Sequence, residues 1–183
     1  KQMFHDLAGN FLQNNDERMI FYCKGVIETV RKLGWAPDII HCQGWFSALV
    51  PMYIKKIYSE EPLFDNVKVI YSVFDNSFDG VLGGSLSEKL LFEKLESRDV
   101  SRIQKPTITN LHKFAVDYAD AVVQASPDID KAVLNHIKSL GKLFLEYPGT
   151  ENYIDSYQDF YSNFIVPEEE SEELEEEPAL KED

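Results

Sequence analysis

The segment PDIIHCQGWFSALVP, residues 37–51, holds side chains that could do chemistry. His41 and Cys42 are adjacent in it, and a histidine–cysteine pair can act as base and nucleophile. Neighbouring side chains on a strand point to opposite faces of the sheet, so these two are poorly placed to face each other or to share a metal ion. The other histidines have no partner at metal-ligand spacing. We therefore predict no metal site, no cofactor and a buried packing role for Cys42.

Glycines and carboxylates follow further along the chain. Gly80, Gly83 and Gly84 are not followed by Lys-Ser/Thr, and they do not form a dinucleotide-binding turn, so we interpret them as a flexible connection. Asp75 and Asp79 could be paired carboxylates of the kind that retaining glycosidases use. They are also residues that stabilise turns by bonding their own backbone, and the sequence favours this second interpretation.

The elements that must position these residues alternate between helices and short apolar strands. The predicted helices are residues 16–34, 45–57, 86–96, 108–118, 128–139 and 151–164. The predicted strands are residues 38–42, 67–74, 120–126 and 142–146. Asn14 or Asn15 fits the start of the first helix and Gly34 its end, while Ser126 with Pro127 fits the start of the fifth.

This alternation predicts an α/β fold with a Rossmann-like parallel sheet and helices on both faces. Ligands of such sheets bind beyond the carboxyl ends of the strands, where residues 41–45 and 72–75 supply polar and aromatic side chains. The last predicted helix carries an aromatic stripe that we expect to dock on the core. Its members are Tyr153, Tyr157, Phe160, Tyr161 and Phe164.

Charge is unevenly distributed along the 183 residues, whose formal net charge is −14. Residues 166–183 contribute −9 of it and have little apolar content, which predicts a disordered acidic tail. The remainder has no excess of basic residues, so we expect no nucleic-acid partner. With no run long enough to span a bilayer, no export signal and only two cysteines, we expect no membrane partner and a cytoplasmic location.

Four segments, in order, resemble the bacterial glycogen and starch synthases of glycosyltransferase family five. They are NNDERMIFYCKGVIETVRKLG, WAPDIIHCQGWFSALVPMYIKKIY, NVKVIYSVFDNSFDG and FAVDYADAVVQASP. The match covers roughly residues 14–128, and the chain is similar to the short, single-domain synthase-like proteins of Bacteroidetes. The resemblance implies one half of the two-domain GT-B architecture, over residues 1–165, and transfer of glucose from ADP-glucose to an α-1,4-glucan.

The chain departs from the family pattern at positions that carry chemistry. The altered positions are Asn14, Gln43, Gly44, Phe46 and Phe74, where the family has aspartate or histidine. The family's Lys-Thr-Gly-Gly loop and its C-terminal nucleotide-binding domain are not in the sequence. We therefore expect a domain that lacks its first strand or strands and, as a single chain, has little or no synthase activity, because lost electrostatic contacts to a transferring group are costly.

Three hypotheses follow from the resemblance and these departures. The chain can be a synthase domain completed by a protein partner, a non-catalytic module that binds α-glucan or ADP-glucose, or a scaffold whose acidic tail makes the contacts. In the first two cases the candidate substrate-binding residues are His41, Gln43, Trp45, Phe74 and Asp75. Aromatic rings would stack on sugar faces there, and Gln43 and Asp75 would bond to hydroxyl groups.

Overall fold

The computed structural model describes residues 3–76, 78–92 and 95–164. The predicted acidic tail, residues 166–183, lies outside this part of the chain. Two compact units are present, one up to Tyr147 and one from Pro148 onward.

The first unit is built on a four-stranded parallel sheet in the order β1-β2-β3-β4. The strands are β1 Ile39–Gln43, β2 Lys68–Val73, β3 Ala121–Gln124 and β4 Leu143–Leu145. The helices of this unit are α1 Asn15–Leu33, α2 Val50–Met52, α3 Leu86–Leu91, α4 Ile108–Tyr118 and α5 Lys131–Leu140. The parallel sheet and the α/β class are therefore confirmed.

The hydrophobic core lies against the sheet face that carries Cys42, Tyr71 and Val122. Helix α1 contributes Met19, Cys23 and Ile27 to this core, at four-residue steps that place them on one face of the helix. Burying side chains of this size is worth about 1.5–3 kcal/mol for each large aliphatic residue.

Two local predictions are wrong. Residues 45–57 are not one regular helix: a 3-10 turn at Trp45–Ser47 precedes α2, which continues as a π-helical turn at Tyr53–Ile57. Helix α5 is capped by Asp130, whose side chain accepts a hydrogen bond from the backbone N–H of Ala132 at 2.7 Å. Ser126 does not cap it, because its hydroxyl bonds to Asp75 instead.

The second unit contains helix α6, Tyr153–Ser162. Its aromatic rings pack along the helix, with the Tyr157 and Tyr161 centroids 5.9 Å apart. Phe160 is buried, whereas Tyr153 is half exposed. Core docking of the whole stripe remains a prediction.

Candidate functional site

The candidate site is the edge of the sheet at the carboxyl ends of β1, β2 and β3. These strands are neighbours, so the segments at their carboxyl ends, residues 43–47, 74–76 and 124–127, leave the sheet side by side. In parallel α/β sheets this edge is the usual place for a ligand.

The segment after β1 is held close to the segment after β2. Gly44 has φ 71°, its N–H donates to the carbonyl of Ser72 at 3.1 Å, and its own carbonyl accepts from the Ser47 hydroxyl. A Cβ at this glycine would lie 3.5 Å from Nδ2 of Asn76. Gln43, one position earlier, is exposed. The absence of a side chain at Gly44 thus lets the segment after β1 approach the amide of Asn76 in the neighbouring segment.

The segment after β2 is fixed to the segment after β3. The backbone N–H of Asp75 donates to the Ser126 hydroxyl at 3.1 Å, and that hydroxyl donates to Oδ1 of Asp75, also at 3.1 Å. Gln124 closes the turn by donating from Nε2 to the carbonyls of Ser126 and Pro127. Asp75 and Asn76 remain exposed and Phe74 is half buried. The carboxylate is therefore oriented by a buried hydroxyl while it faces solvent.

His41 lies on β1 with its ring turned toward the interior. Its Nε2 is 2.7 Å from the hydroxyl of Ser72, which is buried. Burial lowers the pKa of His41 to about 4, so the ring is neutral at pH 7. The observed contact of the imidazole, with the buried Ser72 hydroxyl, is structural. Contact between His41 and a ligand at the edge stays a prediction.

Trp45 is a packing residue in this structure. Its side chain is 4 % exposed, and its ring centroid lies 4.7 Å from Phe4, 5.0 Å from Phe78 and 5.2 Å from Phe46. An indole enclosed in this way has no open face for a sugar ring. We therefore leave Trp45 out of the groups that we propose to touch a ligand.

The two cysteines are unreactive packing residues. Both are free and buried, and the Cys23 thiol donates to the carbonyl of Phe46 at 3.3 Å. Burial raises the pKa of Cys42 above its usual value and that of Cys23 to about 12, which disfavours the thiolate needed for nucleophilic attack. Within residues 3–76, 78–92 and 95–164, no cluster of three His, Cys, Asp or Glu could hold a metal ion.

The structure brings together a subset of the predicted residues and adds others. Gln43, Gly44, Phe74 and Asp75 meet at the edge, whereas Asn14 lines a separate groove on α1 with Phe46. Asn76 and Ser126 were missed as site residues. The position of Asn76 directly after a predicted strand could have identified it, but the role of Ser126 depends on a contact 51 positions away.

The strand edge of this parallel α/β domain is polar, with the carboxylate of Asp75 and no lysine or arginine in segments 43–47, 74–76 and 124–127. The family model for the starch synthase catalytic domain matches residues 1–144, and the chain belongs to this family. No helix in the described part of the chain is long and apolar enough to cross a membrane.

Several glycogen synthases are similar to the chain. The enzyme of Chlorobium luteolum is 40% identical over 94 residues, which is 51% of this chain and 19% of the relative. The enzyme of Chlorobaculum parvum is 34% identical over 142 residues, which is 75% of this chain and 28% of the relative. The enzyme of Pelodictyon phaeoclathratiforme is 29% identical over 164 residues, which is 85% of this chain and 33% of the relative. The chain thus spans a third or less of the length of these relatives.

A solved structure shares the fold. The catalytic domain of starch synthase IV from Arabidopsis thaliana, bound to ADP and acarbose, superposes with a TM-score of 0.58 at 18% identity. The match covers 75% of this chain and 30% of the plant chain. At this identity the likeness concerns the fold alone.

Proposed function

We propose that the chain forms the acceptor side of a glucosyltransferase that moves glucose from ADP-glucose to the non-reducing end of an α-1,4-glucan. Family membership supports the reaction class. The observation that carries the site is the exposed trio Gln43, Asp75 and Asn76 beside the half-buried ring of Phe74. Their oxygens and amide groups can pair with sugar hydroxyls, and Phe74 offers an apolar surface.

The same edge explains why we expect little transfer by this chain alone. Transfer from a nucleotide sugar requires positive groups over the diphosphate as charge develops. The segments 43–47, 74–76 and 124–127 contain no lysine or arginine, and His41 is neutral at pH 7. We propose that these cations come from a further part of the protein or from a protein partner.

A non-catalytic glucan-binding module is the second candidate, and the observation that favours it is an edge that lacks lysine and arginine and carries the Asp75 carboxylate. Such an edge suits a neutral glucan better than the diphosphate of ADP-glucose, which a carboxylate repels. We place either function in glycogen metabolism in the cytoplasm, where two free, buried thiols fit a reducing compartment.

Two measurements on the purified chain test the proposal. Titration with maltoheptaose should show binding at the edge, and incubation with labelled ADP-glucose and maltoheptaose should show incorporation near background. Robust incorporation by the chain alone would refute the assignment of the cations to another part. Absence of glucan binding would refute the acceptor-side role.

The chain offers a matched control for the edge, because an Asp-Asn pair stands at each end of β2. Asp75→Ala/Asn76→Ala removes the pair after the strand, whereas Asp65→Ala/Asn66→Ala removes a pair before it that is also exposed. We expect the first variant to weaken maltoheptaose binding about tenfold, as the loss of one or two hydrogen bonds would. The second should bind like the unaltered chain, and equal loss in both variants would exclude a site at this edge.

A further inference from the structure

The hydroxyl of Ser126 does not serve the helix that follows it. Asp130 caps helix α5, so the Ser126 hydroxyl is left to bond across the sheet edge, to a residue 51 positions away. It accepts from the backbone N–H of Asp75 and donates to Oδ1 of the same residue, each at 3.1 Å. These two bonds fix both the backbone and the carboxylate of Asp75, whereas an exposed side chain otherwise changes rotamer on the picosecond-to-nanosecond timescale.

Ser126 is itself held in place at the end of β3. The N–H of Ala125 donates to the carbonyl of Val73 at 2.8 Å, which continues the pairing of β2 with β3 up to this point. Nε2 of Gln124 donates to the carbonyls of Ser126 and Pro127 at 2.9 and 2.8 Å, and Ser126 is 6% exposed. The hydroxyl therefore has a fixed position, and a group that it bonds is fixed with it.

The Asp75 carboxylate differs from the carboxylates that hold the fold together, because it has no cation beside it. Several aspartates of the chain pair with a lysine or arginine at 2.5–3.0 Å, namely Asp16, Asp99, Asp117 and Asp120. Within the part of the chain that the structure describes, no group bonds to Oδ2 of Asp75, and the residue is exposed. An oriented carboxylate with one open oxygen suits a ligand hydroxyl, since an ionised carboxylate accepts hydrogen bonds and does not donate them.

We propose that Ser126 is a positioning residue for glucan recognition, which holds Asp75 so that Oδ2 accepts a hydrogen bond from one sugar hydroxyl. Ser126 touches no ligand itself, and its role rests on the proposed function, which supplies the glucan. A carboxylate that is held in advance spares the cost of ordering one side chain on binding, which corresponds to about twofold to tenfold in Kd. Ser126 should therefore change the affinity only through Asp75.

A double-mutant cycle with maltoheptaose as the ligand tests this dependence. Ser126→Ala should raise the Kd of the chain about threefold, as the lost ordering of one side chain would. Asp75→Ala should raise it about fivefold, as the loss of one hydrogen bond would. In the Asp75→Ala background, Ser126→Ala should have no further effect on the Kd, because no carboxylate is left for the hydroxyl to hold.

Ser47→Ala is the matched control for the cycle. Ser47 is 7% exposed, lies at the same sheet edge and donates its hydroxyl to the carbonyl of Gly44, without bonding to Asp75. Its effect on the Kd, whatever its size, should be the same with and without the Asp75 carboxylate. Urea denaturation of each variant checks that the protein is folded under the conditions of the titration.

A second measurement reads the hydrogen bond between Ser126 and Asp75 without any ligand. Ser126→Ala removes the acceptor of the Asp75 amide, so hydrogen exchange at this amide should become about fivefold faster. Exchange at the Ala125 amide, which bonds to the carbonyl of Val73 instead, should be unchanged if the strand pairing is intact.

The outcomes separate the positioning role from the proposed function. Faster exchange at Asp75 with an unchanged Kd, or an equal effect of Ser126→Ala in both backgrounds, would overturn the positioning role and leave the proposed function standing. Unchanged exchange at Asp75 would overturn the hydrogen bond on which the role depends. A chain without measurable affinity for maltoheptaose would overturn the proposed function and the positioning role with it.

Discussion

The contact between Gly83 and Asp16 leads to a sharp stability prediction. Asp16 is buried at the start of α1, with its side chain 2 % exposed, and it accepts from the Lys89 ammonium at 2.6 Å. Gly83 packs directly on this carboxylate: an added Cβ would lie 2.4 Å from Cγ and 2.5 Å from Oδ2 of Asp16. Replacement by alanine must therefore displace a buried, charge-paired group.

The expected cost has two parts. Gly83 has φ +48°, a region that costs an L-residue about 1–2 kcal/mol. Overpacking adds about 1–3 kcal/mol, since the carboxylate cannot move without loosening its bond to Lys89. We therefore expect Gly83→Ala to lower the free energy of unfolding by about 2–5 kcal/mol. Urea denaturation followed by circular dichroism measures this, provided that the m-value is unchanged.

Two other glycines separate the contributions. Gly80 also has a positive φ, +80°, but an added Cβ would meet nothing within 4 Å, so Gly80→Ala should cost only the conformational part, about 1–2 kcal/mol. Gly84 has neither constraint, and Gly84→Ala should stay within about 0.5 kcal/mol of the unaltered chain.

The steric argument also predicts nonadditivity. Asp16→Ala removes the two atoms that the new Cβ would overlap most, so Asp16→Ala combined with Gly83→Ala should cost about 1–2 kcal/mol less than the sum of the single changes. If Gly83→Ala costs no more than Gly80→Ala, or if the two changes are additive, the close contact does not determine stability and the reasoning is refuted.

Two further predictions concern polar groups that are wholly or partly buried. Burial lowers the pKa values of His41 and His112 to about 4, so the unfolded chain binds more protons between pH 6.5 and 4. The contribution of these two neutral histidines to the free energy of unfolding, at most about 3 kcal/mol each, should be complete above pH 6.5 and be lost as pH falls to 4. A His112→Leu variant should therefore lose part of this pH dependence. If its free energy of unfolding varies with pH as that of the original chain does, the prediction for His112 is wrong. Lys142 donates to the carbonyls of Val116, Asp117 and Ala119 at 2.6–2.8 Å, so Lys142→Met should cost about 1.5–3 kcal/mol in the same denaturation assay, whereas the exposed control Lys138→Met should cost under about 0.5 kcal/mol.

The sheet could be predicted from the sequence because its signals are local. Each strand is a short apolar run, and the alternation with helices requires parallel pairing. Cys42 could likewise be predicted as a buried residue, since strand alternation directs it away from the face of His41. Neither the sheet nor the burial of Cys42 depends on which distant residues pack against it.

The failures occur where a distant residue competes for a group. Ser126 and Pro127 form a good local start for a helix, yet the Ser126 hydroxyl bonds to Asp75 and the helix begins later, at the cap supplied by Asp130. The same competition creates the orientation of Asp75 at the strand edge. The wrong helix start and the oriented carboxylate thus have a single cause.

Trp45 shows the limit of a pattern that identifies residue types at a strand exit. The sequence places a tryptophan at the edge where a sugar would stack, but three aromatic rings from elsewhere in the chain enclose it. Meanwhile Phe21 and Tyr22, which the helical pattern leaves off the core, remain exposed beside Phe46. A position along the chain fixes which edge a side chain can reach. Exposure, which only the packed structure determines, decides which aromatic ring can meet a ligand, and at 4% exposure it excludes Trp45.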